Sequence, residues 1–212
     1  MRFTQRKVTP TFSCYMEIGE KILVSRHSPF NQLVVTEDEA GLRTLRFGES
    51  DSRQSVVKPG DPLHLELPYV RVLPFSLAFV RRLSRILVVG LGGGTLPGFF
   101  RHAFPELTID VVDIDPDVLE VAKTYFGFSE DRFLRAHIED ARDYIERYTN
   151  CYDLIVLDGF GAETIPPHLL TLEFLQAVRN ALAPDGIACH EGQVDRRLAP
   201  LRCVLVDRLA AA

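Results

Sequence analysis

Residues 86–95 read ILVVGLGGGT, an apolar run followed by a loop that contains four glycines. A short apolar run bounded by glycines is typical of a strand buried inside a parallel sheet. Glycines placed directly after such a strand allow a tight turn and let backbone N–H groups approach a ligand. This stretch therefore predicts the first core strand of a parallel sheet and a ligand-binding loop behind it.

Strand and helix patterns alternate along the chain after this loop. The predicted strands cover residues 109–112, 133–137 and 154–157, and a last one begins at Ile187 after a turn at residues 184–186. The predicted helices begin at Thr95 or Leu96 and cover residues 116–126, 141–148 and 172–182, and Asp115 is expected as the N-cap of the helix over residues 116–126. This alternation with apolar strands predicts an α/β fold whose parallel sheet is covered on both faces.

The sequence changes character near residue 70. Before that point, residues 21–24, 32–35 and 42–47 have the pattern of short strands, and residues 37–41 suit a hairpin connection. Residues 73–82 form an apolar stretch that could be a helix leading into the second part. We therefore expect a small antiparallel β unit over residues 1–70 and a Rossmann-like nucleoside-binding domain over residues 71–212.

The composition excludes several classes of function. A net charge of −5 makes sequence-independent nucleic-acid binding unfavourable, because that binding needs a basic face. No apolar stretch is long enough to span a membrane, and the N-terminus lacks a signal peptide, so a cytoplasmic protein is expected. The four cysteines show no zinc spacing and His102, His137, His168 and His190 show no metal-ligand spacing, so we expect no metal.

The glycine loop and three aspartates lie at the ends of predicted strands, where open parallel sheets bind ligands. Asp113 follows Gly90 by 23 positions (113 minus 90), close to the spacing of an acidic residue that binds ribose hydroxyls. Asp140 could accept a hydrogen bond from an adenine amino group, or could simply cap a helix. Asp158 could act as a general base or attract a cationic substrate, or could be a turn residue.

Three carboxylates around one crevice repel one another, which raises their pKa values. A cationic ligand would relieve this repulsion, and both a sulfonium donor and an amine acceptor are cations. A dinucleotide-binding fingerprint would have glycine or alanine where Thr95 stands, so the loop fits the G-x-G-x-G pattern of methyltransferase-like sheets better.

Several longer stretches resemble the spermidine synthase (polyamine aminopropyltransferase) family, in particular its divergent spermidine synthase-like branch. The similarity runs from about Ser28 to Ile187 and is strongest in ILVVGLGGGTLPGFF, IDVVDIDPDVLEVAKTYFG, EDARDYI and YDLIVLDGFGAETIPPHLLTLEFL. The resemblance implies an N-terminal β-domain, a Rossmann-like catalytic domain of the methyltransferase type, and a homodimer.

The resemblance also implies roles for individual residues. Gln32, in SPFNQLVV, corresponds to a glutamine that contacts the nucleoside, Asp158 to the catalytic aspartate at the substrate, and Tyr69 to a tyrosine of the substrate pocket. The residues implied to bind the nucleoside co-substrate are Gly90, Gly92, Gly93, Gly94, Asp113, Ile114, Asp140 and Ala141. His168 lies in a loop near the family's active-site mouth, although an exposed or structural role is the favoured interpretation.

The chain departs from the family at three positions in the site and at its end. Gly93 stands where the family's loop has an aspartate that holds the amino end of decarboxylated S-adenosylmethionine. Gly161 replaces a second active-site aspartate, and Val70 replaces a glutamine. The stretch from Cys189 to Ala212 does not resemble the family's continuation after Gly186, although residues 203–206 could form one more strand, so the C-terminal strands are expected to be incomplete.

Three functions remain open at this point. The first is transfer of an aminopropyl group from a co-substrate of the S-adenosylmethionine type, decarboxylated or not, to a small cationic amine. The second is methyl transfer from S-adenosylmethionine to a small-molecule or protein amine, since TYFGFSEDRF resembles a branch of protein lysine methyltransferases. The third is nucleoside binding without catalysis, which Gly93 and Gly161 favour.

Overall fold

The chain folds into two sheets, as seen in a computed structural model that describes residues 19–48, 52–159 and 166–190. One sheet has four antiparallel strands in the order β1-β2-β3-β4, and the other has five parallel strands in the order β7-β6-β5-β8-β9. The predicted α/β class, with a parallel sheet and a small antiparallel unit before it, is confirmed.

The antiparallel sheet forms from consecutive hairpins. Its strands are β1 (Lys21–His27), β2 (Gln32–Glu37), β3 (Arg43–Phe47) and β4 (Arg53–Val57). The predicted hairpin connection between β2 and β3 is confirmed. β4 was not predicted, because only its last two residues are apolar and the strand therefore lacks a clear alternating pattern.

A short helix, α1 (Pro68–Val72), leads towards the second sheet and continues into a 3₁₀ helix at Leu73–Phe79. The expected helix over residues 73–82 is therefore wrong in type and in length. Pro74 lies in the first turn of the 3₁₀ segment and has no N–H to donate, which prevents α1 from continuing as a regular α-helix.

The second sheet alternates strands with helices as the pattern predicts. Its elements are β5 (Arg85–Val89), α2 (Thr95–Ala103), β6 (Thr108–Asp113), α3 (Pro116–Tyr125), β7 (Leu134–Ile138), α4 (Ala141–Ile145), β8 (Tyr152–Leu157), a 3₁₀ turn at Pro167–Leu169, α5 (Leu172–Ala181) and β9 (Leu182–His190). The helix predicted to reach residue 148 ends at Ile145, where bonds between residues three apart tighten the last turn.

The end of the described chain differs from the prediction. Residues 184–186 do not form a turn before a new strand, because β9 is continuous from Leu182 and bulges there. The register shows this bulge, since Tyr152 pairs with Leu182 whereas Leu154 pairs with Ile187. The strand expected at residues 203–206 lies outside the described residues.

The core explains why both sheets pack together. Strands β5 and β8 are buried on both faces, with α4 and α5 covering one face. On the other face, buried residues of the antiparallel sheet, such as Leu33 and Leu45, join the same cluster as Ile86 and Val88. The two sheets therefore share one core.

Two absences hold for the described part of the chain. None of its helices is long and apolar enough to cross a membrane. Within residues 19–48, 52–159 and 166–190, no cluster of histidine, cysteine and acidic side chains could hold a metal ion.

Candidate active site

A cavity of about 580 Å³ lies at the carboxyl ends of β5, β6, β7 and β8. This volume falls within the range of small-molecule sites, and the position is the one at which open parallel sheets bind ligands. The described residues that line it include four aspartates, which are Asp113, Asp115, Asp140 and Asp158. No lysine or arginine is among these described lining residues. The cavity therefore presents a negative field to a ligand, which suits a cation.

The glycine loop brings the backbone of β5 close to that of β8. Gly90 has a φ of +96°, and a Cβ atom there would lie 2.3 Å from the backbone oxygen of Asp158. Asp158 in turn donates its N–H to the oxygen of Val89 at 2.8 Å. Glycine at position 90 is thus required both by the backbone conformation and by the contact that places Asp158 at the cavity.

The last two loop glycines do not line the cavity, whereas Gly90 and Gly92 do. Gly93 donates its N–H to the Ser55 hydroxyl at 2.8 Å, and a Cβ at this position would lie 2.6 Å from the Phe126 ring. Gly94 packs in the same way against Phe128. Ser55 and Phe126 therefore fill the space that any side chain at position 93 would need.

Asp113 lies at the end of β6 and is held by the backbone on both sides. Its Oδ2 accepts from the Leu91 N–H at 2.8 Å and its Oδ1 from the Asp115 N–H at 2.9 Å. Burial raises the pKa of Asp113, these backbone donors oppose the increase, and the Asp115 carboxylate adds to it. The main cause is thus burial, whereas the sequence suggested repulsion from Asp140 and Asp158.

Asp140 caps a helix, as one of the two interpretations of the sequence has it, and it also lies on the cavity. It is the N-cap of α4, because its Oδ1 accepts from the Arg142 N–H at 2.8 Å. Its Oδ2 lies 2.8 Å from Nε2 of His168. Ala141, also predicted, follows it on the cavity wall, and so does the predicted Ile114 after Asp113.

Asp158 and Tyr69 lie on the same cavity. The Tyr69 hydroxyl donates to the backbone oxygen of Gln54 at 3.1 Å, which fixes the ring against β4. Asp158 belongs to the parallel sheet and Tyr69 to α1, so the two halves of the chain meet here. Gly161, where the family's second aspartate was expected, lies outside the described residues.

Gln32, which was predicted to contact the nucleoside from the antiparallel sheet, does not line the cavity. Its neighbour Asn31 does. Ser28 holds this turn in place. Its hydroxyl accepts from the Asn31 N–H at 2.9 Å and donates to Oδ2 of the buried Asp115.

The sequence analysis did not select five polar residues around the site. They are Asn31, Gln54, Ser55, Asp115 and His168. Asp115 had a sequence signal, since it was expected as a helix N-cap and does accept from the Asp117 N–H. Gln54 and Ser55 lie in β4, which the sequence did not predict, and Asn31 and His168 lie in turns, so local patterns did not identify them.

A protein-family comparison matches residues 72–195 to the spermine/spermidine synthase domain. The polyamine aminopropyltransferase of Vibrio vulnificus is 35% identical over 176 residues, which cover 80% of this chain and 59% of that protein. The human eEF1A lysine and N-terminal methyltransferase is 40% identical over 137 residues, which cover 56% of this chain and 20% of that protein. The chain thus spans less than two thirds of these relatives.

Among solved structures, too, the chain is similar both to a spermidine synthase and to a methyltransferase. A probable spermidine synthase from Corynebacterium glutamicum superposes with a TM-score of 0.72 over 82% of this chain and 64% of that one, at 21% identity, which supports the fold alone. Human methyltransferase-like protein 13 in complex with SAH superposes with a TM-score of 0.54 over 58% of this chain and 64% of that one, at 36% identity.

Proposed function

The chain belongs to the spermine/spermidine synthase family, and on this premise we propose that it transfers an aminopropyl group from a sulfonium nucleoside to an amine. The co-substrate of this reaction would be decarboxylated S-adenosylmethionine, whereas S-adenosylmethionine itself would be the donor in the methyl transfer considered below. The observation that supports this most is the acidic cavity, in which four aspartates surround a space large enough for a nucleoside.

The residues around the cavity suit an adenosine. Asp113 is held by two backbone donors, and each of its oxygens keeps a lone pair with which it could accept from a ribose hydroxyl. Val112, Leu169 and Pro166 provide apolar surface against which a purine ring could pack. Asp140 and Ala141 would border the base, and Asn31 rather than Gln32 would face the ligand from the antiparallel sheet.

The reaction would be a direct displacement at the carbon bonded to sulfur. The acceptor nitrogen forms a bond to that carbon, the carbon–sulfur bond breaks, and its electron pair stays on sulfur as a neutral thioether. The protein's part is to hold nucleophile and donor in line, and alignment of this kind supplies a large share of the rate. Asp158 would hold the amine and accept the proton that nitrogen loses.

Methyl transfer to a small-molecule or protein amine is the second candidate. It is favoured by the 40% identity to a protein methyltransferase and by Gly93, which offers no carboxylate to an aminopropyl donor. The two reactions leave different thioether products: methylthioadenosine after aminopropyl transfer, and S-adenosylhomocysteine after methyl transfer. We also propose that a domain boundary lies near residue 70 and that two copies of the chain form a homodimer.

The test incubates the protein with both donors and a panel of diamines and protein amines, with products identified by mass spectrometry. Asp158→Asn should retain nucleoside binding and lose about 10²- to 10⁴-fold in turnover, the usual contribution of a general base. Asp61→Asn is the matched control, because Asp61 pairs with Lys58 in an exposed turn away from the cavity.

Each outcome of this assay decides between the functions. Methylthioadenosine supports aminopropyl transfer, and S-adenosylhomocysteine replaces it with methyl transfer. Nucleoside binding without either product would leave the non-catalytic binding protein. Full activity of Asp158→Asn would remove Asp158 from the mechanism.

A further inference from the structure

We propose that His168 is a positioning residue that acts with Asp140 to select a 6-amino purine over a 6-oxo purine. This inference rests on the proposed nucleoside site and goes beyond it, because it names a specificity-determining residue for the base. The two side chains line the same cavity and meet at 2.8 Å between His168 Nε2 and Asp140 Oδ2.

The carboxylate of Asp140 is held at both oxygens. Its Oδ1 accepts from the backbone N–H groups of Arg142 at 2.8 Å and Asp143 at 3.4 Å, which are the first donors of α4. Its Oδ2 lies against the His168 ring. A carboxylate held in this way cannot rotate without losing one of these contacts, so its remaining lone pairs have a defined direction.

His168 is itself held by the short turn to which it belongs. Its backbone oxygen accepts from the Thr171 hydroxyl at 3.3 Å, and the turn closes through a bond from the Leu169 N–H to the Pro166 oxygen at 2.9 Å. Leu169 and Pro166 also line the cavity. The turn thus presents an apolar wall and one imidazole to the part of the cavity that Asp140 borders.

The Asp140–His168 pair offers hydrogen-bond acceptors, and no donors, to a ligand in the cavity. When the Nε2–H of a neutral His168 donates to Asp140, the other ring nitrogen is an acceptor, and an ionised carboxylate is an acceptor at every lone pair. A 6-amino purine offers N–H donors to such a surface. A 6-oxo purine offers an acceptor oxygen at the same place, and two facing acceptors leave both unpaired, which discriminates strongly between ligands.

A purely structural role makes a different prediction. If His168 only supported the N-cap of α4, its loss would weaken binding of both bases by the same factor. The ratio of the two affinities is therefore the informative quantity. Because the His168 side chain is 45% exposed, its replacement should leave the fold intact, which a thermal unfolding curve would verify.

The experiment measures binding by calorimetry for 5′-methylthioadenosine and 5′-methylthioinosine, and for S-adenosylhomocysteine and S-inosylhomocysteine. Wild type should prefer the adenine member of a pair by about tenfold or more, and His168→Ala should reduce the preference to about threefold or less, the scale of one hydrogen bond. His168→Gln keeps an N–H donor and should restore part of the preference. His102→Ala, which removes a histidine outside this cavity, should change nothing.

Two further outcomes separate this inference from the proposed function. An unchanged preference in His168→Ala, with adenine nucleosides still bound, would overturn the role of His168 and leave the nucleoside site intact. Failure of the wild-type protein to bind any of the four compounds would overturn the proposed function, and the base selectivity with it.

Discussion

The two sheets of this protein enclose one cavity but contribute different kinds of group. From the parallel sheet and its loops come the glycine backbone, the four aspartates and His168. From the antiparallel sheet and α1 come side chains that are all uncharged: Phe30, Asn31, Phe47, Gln54, Ser55 and Tyr69. The charge that would bind a cation thus comes from one side only.

The antiparallel sheet instead holds the charged side in place. Ser28 donates to the buried Asp115, next to the aspartate that would bind ribose, and Ser55 accepts from the Gly93 N–H. Arg26 adds an ion pair to Asp117 at the start of α3. The parallel half thus supplies the groups that would bind the ligand, and the antiparallel half supplies groups that hold the first ones in position. Substitutions in either half test the two contributions separately.

The largest effect should follow from Gly90→Ala in the parallel half. The new methyl group would lie 2.3 Å from the Asp158 oxygen at a φ of +96°, and together these should cost on the order of 3 kcal/mol or more of unfolding free energy. Gly41→Ala is the control, because it has a φ of +78° with nothing within 4 Å. It should cost only about 1–2 kcal/mol.

These two free energies would be measured by denaturant unfolding of both variants. Equal losses would mean that the close approach of β5 and β8 at Asp158 contributes nothing, and that backbone conformation alone requires glycine at position 90.

A smaller effect should follow from Ser28→Ala in the antiparallel half. Removing the hydroxyl leaves an oxygen of buried Asp115 without this partner and loosens the turn of Asn31, at a cost of about 1–3 kcal/mol. Ser84→Ala removes a similar serine–aspartate bond, but Ser84 is exposed and Asp153 keeps two backbone donors, so about 0.5 kcal/mol or less is expected.

Thermal unfolding and nucleoside binding should be measured together for the Ser28 variant. If stability falls while affinity is unchanged, the antiparallel sheet only stabilises the fold, and the positioning role assigned to it is wrong.

The last effect is a pH dependence of nucleoside affinity, which arises from the aspartates of the parallel half. Burial raises the pKa of Asp113, and ribose hydroxyls would donate to its ionised form. Affinity for the nucleoside should therefore be full above this raised pKa and fall as the pH drops through it, at a higher pH than for an ordinary aspartate. Below that point the loss approaches about tenfold, or 1.4 kcal/mol, for each pH unit.

Calorimetry from neutral pH downward, within the range in which the protein stays folded, would follow this loss. Asp113→Asn should bind weakly throughout and show no such inflection. An inflection that persists in the variant would assign the proton uptake to another carboxylate of the cavity.

How well the sequence predicted each region depends on how local its signal is. Burial on both faces leaves a local pattern, so the apolar runs at residues 86–89 and 154–157 identified two strands. Helix capping also leaves one, so Asp115 identified the start of a helix. β4 and the bulge at residues 182–187 were missed or misread, because polar strand residues and turn residues take their conformation from neighbouring strands.

The sequence by itself determined the parallel sheet, the glycine turn and the three aspartates at the strand ends, since the alternation of strands with helices and the position of each aspartate directly after its strand are local features of the chain. Only the tertiary structure decided that Asn31 rather than Gln32 lines the cavity, that His168 meets Asp140, and that Ser55 and Phe126 fill the space beside Gly93. The reason is that these contacts join residues far apart in the chain, and packing between the two sheets sets their distances.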